Sequence, residues 1–419
     1  MTTRSVAFVG LGYIGLPTAV VMANHGLKVT GIDINAANVE RINRGEVTIV
    51  EPGLENQLRN AISSGNFIAT TEMVHADVYV IAVPTPFKEN YEGDLSYIMT
   101  AAESIAPQLQ GDELIILEST SPPKTTQKLA AKILSLRPDL AADGTTNPEG
   151  KPVIYFAYCP ERILPGYAME ELITNSRIIG GQSIEATKIA TQIYGAFCTG
   201  ELIPTDDVTA EMAKLTENSF RDVNIAFANE LSLISDKLGI DVWELIRLAN
   251  KHPRVNILQP GPGVGGHCIA VDPWFIVSTD RENSNLIRTA REVNDNKPNW
   301  VLGKVANAVA SLDTSRPTIA SMGLAFKPDI DDLRESPALE ITATLAKAFP
   351  HSQILAVEPH VSLLPEKLQN IDNVSLANTE TALKEADIIL LLVDHKQFKE
   401  INPSHLEGKS VIDTKGIWR

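Results

Sequence analysis

The chain has 419 residues, of which 44% are hydrophobic, and a formal net charge of -16 at pH 7. This length exceeds what one hydrophobic core supports and predicts two or three domains. The acidic charge, with a pI near 5.0, argues against nucleic acid or an anionic membrane as a partner, and no run approaches the roughly 18 apolar residues of a membrane helix.

The number and spacing of the cysteines indicate whether disulfides or a metal site are expected. Cys159, Cys198 and Cys268 are an odd number, lie far apart and form no C-x-x-C pair. This pattern argues against a disulfide framework and against a thiolate zinc site, so we predict no metal and a reducing cytoplasm. The first five residues lead straight into an apolar run, so we also expect no signal peptide.

The first third of the chain alternates between strand-like and helix-like segments, which predicts a parallel, doubly wound sheet. A segment rich in turn residues, 138–152, interrupts the alternation before the sheet resumes. The predicted strands are 6–10, 28–33, 78–83, 114–117 and 153–157, and the predicted helices are 14–24, 36–43 and 97–106.

A dinucleotide-binding motif, G-x-G-x-x-G, joins the first strand to the first helix. Gly10 permits the tight turn, Gly12 lets backbone N–H groups reach a pyrophosphate, and Gly15 allows close packing of helix and strand. Asp33 ends the next strand, where its carboxylate accepts hydrogen bonds from ribose hydroxyls and repels a 2′-phosphate. NAD is therefore favoured over NADP, and FAD is less favoured because its other features are absent. We expect Tyr13 and Ile14 to contact the cofactor as well.

Two further segments fall just past strand ends, the edge at which open α/β sheets bind ligands. They contain Thr85 and Thr120, whose hydroxyls we predict to contact cofactor or substrate. The alternative is that they form ordinary Thr-Pro and Ser-Pro turns. Thr126 is a further predicted cofactor contact.

The middle of the chain has a different pattern. Residues 208–238 contain neither proline nor glycine, and apolar residues recur at helical spacing, which predicts one helix of about 30 residues. Such a helix joins domains, forms a dimer or lies in a core. Gly239 ends it, and Asp241 is the predicted N-cap of a second helix over 241–250.

A glycine-rich loop follows, with Gly263, Gly265 and Gly266 leading to His267 and Cys268, and Asp272 four residues later. Most cysteines of this kind are small buried apolar residues. Glycines that allow a backbone to approach a ligand favour a nucleophile instead. A thiolate adds to an aldehyde and forms a readily hydrolysed thioester, so the loop predicts an oxidation that continues past the aldehyde.

The last third repeats the opening pattern, with predicted strands 318–323, 354–357, 388–393 and 411–414 and a helix over 337–348. The predicted fold class is therefore α/β, with two Rossmann-like doubly wound domains joined by a helical middle that contains the long helix. The predicted domains are 1–200 for NAD, 201–300 as the central helical and dimerisation domain, and 301–419 as a C-terminal α/β domain.

Motifs occur along nearly the whole chain, at residues 10–15, 82–86, 118–120, 159–162, 211–218 and 263–272, together with 326–328 and 333–337. In this order the motifs resemble those of the UDP-glucose/GDP-mannose dehydrogenase family. The family oxidises the C6 hydroxyl of a nucleotide sugar to a carboxylate with NAD, commonly as a homodimer. The resemblance implies that domain 201–300 carries the catalytic Lys and Cys and that domain 301–419 binds the UDP-sugar.

The resemblance implies catalytic roles. Cys268 matches the nucleophile, Lys214 the lysine of the central helix, and Glu161 a glutamate that assists thioester hydrolysis. Asn218 lies one helical turn after Lys214 and shares its face. Asp272 orients water or Lys214, or acts as a base. Without the resemblance, a lysine in the middle of a helix such as Lys214 would be interpreted as a solvent-exposed surface residue.

The resemblance also implies binding residues. A diphosphate in an acidic protein requires local cations, and arginine suits phosphate. Arg334 is expected near the cofactor pyrophosphate, and Lys415 is a weaker assignment. The expected substrate contacts are Arg162, Ile163, Lys214, Asn218, Arg221, His252, Arg254, Gly265 and Lys327.

Two departures from the UDP-glucose branch, Cys159 with the segment after it and His267, favour an N-acetylated UDP-hexosamine. The expected reaction is a four-electron oxidation of UDP-N-acetyl-D-mannosamine to its uronate, for surface polysaccharide precursors, with His267 and Lys214 favouring the Cys268 thiolate. Alternatives are UDP-GlcNAc, UDP-GalNAc or UDP-glucose as substrate, a two-electron hydroxyacid-type dehydrogenase in which Cys268 is inert, and a non-catalytic NAD-binding regulator.

Overall fold

The computed structural model describes residues 4–49, 51–88, 91–164, 166–266, 268–314 and 316–419. They form two compact units, Met1–Glu217 and Asn218–Arg419. None of the helices in these residues is long and apolar enough to cross a membrane.

The first unit is built on a mostly parallel sheet. Its described strands follow the order β3-β2-β1-β4-β5-β7-β8-β9, with β6 beside β7. The strands are β1 Ser5–Val9, β2 Lys28–Ile32, β3 Phe67–Thr70, β4 Val78–Ile81, β5 Leu114–Leu117, β6 Ala141–Ala142, β7 Val153–Tyr158, β8 Arg177–Gly181 and β9 Leu202–Asp206. The helices are α1 Gly15–Asn24, α2 Ala36–Asn43, α3 Leu54–Ser63, α4 Ser96–Ile105, α5 Thr125–Leu136, α6 Ala168–Thr174 and α7 Ile184–Tyr194, with a 3₁₀ turn at Ala106–Gln108.

Burial on both faces of this sheet explains its apolar strands. Along β1, Val6 and Phe8 belong to one core cluster, whereas Ala7 and Val9 belong to another. Alternate residues thus face opposite layers, as in a doubly wound fold. The strand order reverses at β1, which pairs with both β2 and β4, so the ligand crevice is expected beyond the carboxyl end of β1.

The long central helix, α8, spans Asp207–Leu238 and is followed by α9 Val242–Ala249. The side chain of Asp241 accepts hydrogen bonds from the N–H groups of Trp243 and Glu244, which confirms the predicted N-cap. Two more helices of the middle region, α10 Asp272–Thr279 and α11 Asn285–Ala310, come before the second sheet.

The second unit contains a parallel sheet with the described order β12-β11-β10-β13-β14. The fold class is confirmed: two Rossmann-like sheets flank a helical middle in the sequence. The elements are β10 Thr318–Met322, α12 Pro337–Ala348, β11 Gln353–Val357, α13 Glu366–Gln369, β12 Val374–Leu376, α14 Thr379–Glu385, β13 Ile388–Leu391, α15 Lys396–Lys399 and β14 Ser410–Asp413, with a 3₁₀ turn at Pro403–Leu406.

Three features differ from the sequence-based expectation. Strand β8 pairs with β7 antiparallel, so the first sheet is mixed at this point. Residues Ala141–Ala142 form a short strand within the segment predicted as turns. Helix α11 runs unbroken past Pro298, although an internal proline removes one helical hydrogen bond. The division into three domains at 200 and 300 stays a prediction.

Candidate active site

The turn after β1 is shaped by its glycines. Gly10 has a φ of +96°, and a Cβ there would lie 2.4 Å from the carbonyl oxygen of Ala82. A Cβ on Gly15 would lie 1.9 Å from the carbonyl oxygen of Gly10. Gly12, by contrast, has nothing within 4 Å of its Cβ position. The backbone of Gly12 thus borders open space where a pyrophosphate can approach, at the start of α1.

Asp33 lies at the end of β2 beside this turn. Its Oδ2 accepts a hydrogen bond from the N–H of Leu11 at 3.2 Å, and its Oδ1 accepts one from the N–H of Asn35 at 2.9 Å. These bonds hold the carboxylate at the rim of a cavity of about 350 Å³ that Gly12 also lines. The residues therefore fit the adenosine end of NAD, with the carboxylate available to ribose hydroxyls.

Two residues of this cavity, Asn38 and Arg41 on α2, were absent from the predicted site. The side-chain amide of Asn38 donates to Asp33 Oδ2 at 3.3 Å. Both residues follow Asp33 within about two helical turns, so their position directly after the acid was the available signal. The guanidinium of Arg41 is suited to binding phosphate. It lines the same cavity as the Asp33 carboxylate, which repels a phosphate.

We expect Asp33→Ser to shift the cofactor preference towards NADP. The substitution removes the negative charge that repels a 2′-phosphate, while Arg41 stays in the cavity to bind it. One charge-assisted hydrogen bond of ~1.5–3 kcal/mol corresponds to an increase of about 10-fold to 100-fold in the kcat/KM ratio of NADP to NAD. Adding Arg41→Ala should remove this gain; if NADP use persists, Arg41 is not the phosphate ligand.

The predicted threonines differ in their surroundings. Thr85 Oγ1 is buried and has no hydrogen-bond partner among the described residues, which leaves it available to a ligand. Thr120 is half-buried after β5. Thr126 is fully buried, and its hydroxyl donates to Glu211 Oε1 at 2.7 Å, so its cofactor contact stays a prediction.

Two other predicted cofactor residues are placed by the first unit's own contacts. The hydroxyl of Tyr13 donates to Glu51 Oε2 at 3.0 Å. Glu51 also accepts from the N–H groups of Gly166 and Ala168 at 2.8 and 2.7 Å. Ile14 is the N-cap of α1. Glu51, which sequence reasoning missed, thus ties the cofactor turn to the segment that follows Glu161.

A buried ionic cluster lies behind the ends of β5 and β7. Arg177 Nη1 donates to Glu118 Oε1 at 2.9 Å, and both side chains are almost fully buried. The Arg177 guanidinium also stacks over the ring of Tyr194, 4.6 Å from its centre. Burial raises the pKa of the nearby Cys159 thiol above its ordinary value, which disfavours its thiolate form.

Glu161 belongs to the same unit and is only 7% exposed. Burial raises its pKa to about 7, opposed by the charges of Lys214 and Arg177. Its Oε1 has no hydrogen-bond partner among the described residues. A carboxyl that titrates near neutral pH with one unoccupied oxygen has the properties of a general acid or base.

Lys214 is half-buried on α8, where its charge acts on Glu161. The two predicted catalytic residues of the first unit therefore influence each other. The neighbouring Arg162, predicted to bind substrate, forms an ion pair with Glu217 at 2.8 Å and donates to the carbonyl of Ser176. Ile163 packs against the hydrophobic core.

The second unit brings three predicted residues together. The thiol-bearing Cys268 is exposed, and its carbonyl oxygen accepts a hydrogen bond from the N–H of Asp272 at 2.9 Å. Asp272 is 3% exposed, begins α10, and accepts a hydrogen bond from Asn218 Nδ2 at 2.6 Å. Cys268 thus lies on a short turn that the hydrogen bond from Asn218 to Asp272 fixes. His267 lies outside the described residues.

The other predicted binding residues of this unit lie on several elements. Arg221 is exposed on α8, and His252 and Arg254 are exposed in the turn after α9, where His252 Nδ1 accepts from the Arg254 N–H. Lys327 is half-buried. Arg334 forms an ion pair with Asp332 at 2.6 Å. Lys415 Nζ lies 3.3 Å from Asp394 Oδ1.

Gly265 has a steric reason to be glycine, because a Cβ would lie 2.4 Å from the carbonyl oxygen of Glu335. The Lys415 ammonium would lie 3.6 Å from a Cβ on Gly261, at the start of the same loop. The glycine loop therefore runs beside a lysine that the sequence had assigned only weakly.

Comparison with known proteins gives matches along the whole chain. Three family models of the UDP-glucose/GDP-mannose dehydrogenase family match in order: the NAD binding domain over residues 4–198, the central domain over 208–296 and the UDP binding domain over 320–419.

Among curated relatives, an NDP-N-acetyl-D-galactosaminuronic acid dehydrogenase of Ralstonia nicotianae is 53% identical, over 99% of this chain and 96% of its own. A UDP-N-acetyl-D-mannosamine dehydrogenase of Yersinia pestis is 52% identical, over 100% of both chains. The solved UDP-D-ManNAc dehydrogenase of Pyrococcus horikoshii superposes with a TM-score of 0.87 at 37% identity, covering 99% of this chain and 96% of that one.

Proposed function

Because the chain belongs to the UDP-glucose/GDP-mannose dehydrogenase family and is an NAD-dependent dehydrogenase, we propose that it oxidises the C6 hydroxyl of UDP-N-acetyl-D-mannosamine to the uronate. The observation that carries the proposal is the exposed thiol of Cys268, held on a turn by Asp272 and Asn218. A two-electron alcohol oxidation needs no such nucleophile, whereas the oxidation of an aldehyde does.

In the first oxidation, a base removes the proton of the C6 hydroxyl as the C6 hydride leaves. We assign Lys214 to stabilise the developing charge on the oxygen, which its ammonium can do in a half-buried position. Asn218 and Asp272 are assigned to orient the hydroxyl or a water molecule through their mutual hydrogen bond. When bound, NAD supplies the acceptor for each of the two hydrides that the sugar loses.

In the second oxidation, the Cys268 thiolate adds to the aldehyde carbon and forms a thiohemiacetal. Loss of the second hydride from that carbon gives a thioester on sulfur. Water then attacks the thioester carbon while Glu161 accepts one of its protons. The C–S bond breaks and frees the Cys268 thiolate, and the sugar acid loses the second proton to solvent as it becomes the carboxylate. The raised pKa of Glu161, about 7, supports this role.

The substrate diphosphate needs cations in a chain whose net charge is -16. We propose Arg162, Arg221, Arg254 and Lys327 for this role, with His252 and Lys415 near the nucleotide. Ile163 and Gly265 are assigned to shape the pocket, and Arg334 to the cofactor pyrophosphate. These assignments rest on the motifs and on the exposure of the charged groups.

The names of both curated relatives contain an N-acetylated hexose, which supports this class over UDP-glucose. The departures at Cys159 and after it favour the same N-acetylated class. Within this class we propose the mannosamine, which is also named for the solved Pyrococcus horikoshii enzyme. The two-electron dehydrogenase and the non-catalytic regulator are not favoured, since neither uses Cys268.

The test is a panel of UDP-sugars assayed for NADH release: UDP-ManNAc, UDP-GlcNAc, UDP-GalNAc and UDP-glucose. We expect the highest kcat/KM with UDP-ManNAc and two NADH per sugar. If two of these sugars differ by one well-placed polar contact with the enzyme, their kcat/KM values should differ by about 10-fold or more. A preference for UDP-GalNAc would move the substrate within the class, and a preference for UDP-glucose would overturn the class itself.

We also propose a homodimer, located in the cytoplasm. Along α8, Phe220, Phe227 and Ile234 recur every seven residues and are 68%, 52% and 48% exposed, with Leu238 at 67%. A heptad repeat keeps these side chains on one face of the helix, and an exposed apolar face of this kind suits a second copy of the chain. The buried thiols Cys159 and Cys198 suit a reducing compartment.

A further inference from the structure

The segment that carries Cys268 is tied to helix α8 at both of its ends. Upstream, the N–H of Gly261 donates to Asn229 Oδ1 at 2.9 Å. Downstream, Asp272 Oδ2 accepts from Asn218 Nδ2 at 2.6 Å. Asn218 and Asn229 are about three helical turns apart and therefore share one face of the helix, about 16 Å from each other along its axis.

The described residues of the loop pack closely against their neighbours. A Cβ on Gly263 would lie 2.9 Å from Pro337, and one on Gly266 would lie 3.0 Å from the ring of Phe326. Because this packing is close, we expect a change in the anchor at Gly261 to shift these packed residues as well.

The side chain of Asn229 is oriented by a chain of buried hydrogen bonds. Its Nδ2 donates to Asn294 Oδ1 at 2.8 Å. Asn294 Nδ2 donates in turn to Asp222 Oδ1 at 2.8 Å, and Arg291 Nη1 donates to the same carboxylate oxygen at 2.6 Å. All four side chains are at most 1% exposed.

The donors and acceptors in this series of hydrogen bonds can be arranged in only one direction. Asp222 as a carboxylate only accepts hydrogen bonds, so Asn294 must point its NH₂ group towards it and its oxygen towards Asn229. The N–H of Gly261 only donates, so Asn229 must point its oxygen towards the loop. Reversing either amide would place two acceptors or two donors face to face in a buried site and leave those groups without a hydrogen bond, which is unfavourable.

We propose that Asn229 is a positioning residue that holds the Cys268 loop through Gly261, and that Asn294, Asp222 and Arg291 set the orientation of its amide. The inference rests on the proposed function, because only the second oxidation needs the thiol. Displacing the loop should therefore slow the second oxidation and spare the first. A residue that merely stabilises the fold would lower both together.

The test is Asn229→Asp, which keeps the size of the side chain but replaces the donor NH₂ group by an oxygen that faces Asn294 Oδ1. We expect the yield to fall from two NADH per sugar towards one, with aldehyde trapped by hydroxylamine. A misplacement near 1 Å lowers the rate of the second step by about 10²-fold. The alkylation rate of Cys268 by iodoacetamide, measured without sugar or cofactor, should change in parallel.

Two variants serve as controls. Asn307→Asp makes the same chemical change on the exposed side of α11 and should behave as the parent enzyme. Asn299→Asp breaks an amide-to-amide hydrogen bond on the exposed side of the same helix, the bond to Asn296 Oδ1 at 2.7 Å, and should also give two NADH per sugar. If Asn229→Asp fails to fold, Asn229→Ser, uncharged and too short to span the gap, replaces it.

Failure of the inference and failure of the proposed function can be told apart with Cys268→Ala in the same assay. If Cys268→Ala still yields two NADH per sugar, the proposed function is wrong. If Cys268→Ala yields one while a folded Asn229→Asp or Asn229→Ser yields two at the parent rate, with unchanged alkylation of Cys268, the positioning role is overturned.

Discussion

Replacing Cys268 by alanine should stop the reaction at the aldehyde, so that each sugar yields one NADH instead of two. Alanine has no group that adds to the aldehyde carbon, and the hydride of the second oxidation is available only from such an adduct. Uronate formation should fall on the order of 10³-fold or more, as when a covalent nucleophile is removed elsewhere. The measurement is NADH yield against limiting sugar, with the aldehyde trapped by hydroxylamine.

The matched control is Cys198→Ala. The Cys198 thiol is buried in the first unit and donates to the carbonyl of Asn175 at 3.3 Å, and no step of the proposed reaction uses it. This variant should still give two NADH per sugar. Uronate made by Cys268→Ala at the parent rate would assign the second oxidation to a hydrated aldehyde and not to a thioester.

Replacing Glu161 by glutamine should leave the enzyme acylated, because hydrolysis of the thioester loses its base. We expect a loss of about 10²–10⁴-fold in the steady-state rate, the usual contribution of general base catalysis. The pH profile gives the sharper readout. Burial, opposed by Lys214, raises the Glu161 pKa to about 7, and the base acts as the carboxylate. The parent rate should therefore rise with pH through about 7, and this limb should be absent from the variant.

Stability separates this effect from misfolding. A carboxyl whose pKa is higher in the folded than in the unfolded state destabilises the fold as pH rises from the unfolded value through the folded one. Glutamine removes that penalty, so Glu161→Gln should be at least as stable as the parent at pH 8 in thermal unfolding. A variant that loses activity and unfolds at a lower temperature would point instead to a structural role for Glu161.

The sequence predicted those structural elements whose conformation depends on residues close to one another along the chain. Residues 208–238 lack proline and glycine, and α8 occupies almost the same span. The glycine turn, the acid at Asp33 and the N-cap at Asp241 depend on neighbours within a few residues or on one βαβ unit. Their positions in the fold were predictable because their hydrogen bonds and backbone angles follow from residue type, whereas the contacts of Asp33 and the glycines with a cofactor stay predictions.

Long-range pairings could not be predicted in this way. The antiparallel pairing of β8 depends on how the chain returns to the sheet after α6, and α11 continues past Pro298 because its tertiary contacts outweigh one lost hydrogen bond. The series of hydrogen bonds from Asp222 through Asn294 and Asn229 to Gly261 joins groups more than thirty residues apart in the sequence. The pKa of Glu161 depends on burial, which no motif encodes.

The central claim is that one sulfur becomes a thioester of the sugar acid during each turnover. The most direct measurement is the mass of the peptide containing Cys268, from Glu161→Gln enzyme quenched with acid while it turns over the UDP-sugar. The predicted result is the uronyl adduct on Cys268, which disappears as hydrolysis is allowed to finish. An unmodified Cys268 peptide, recovered while uronate is still being formed, would contradict the account.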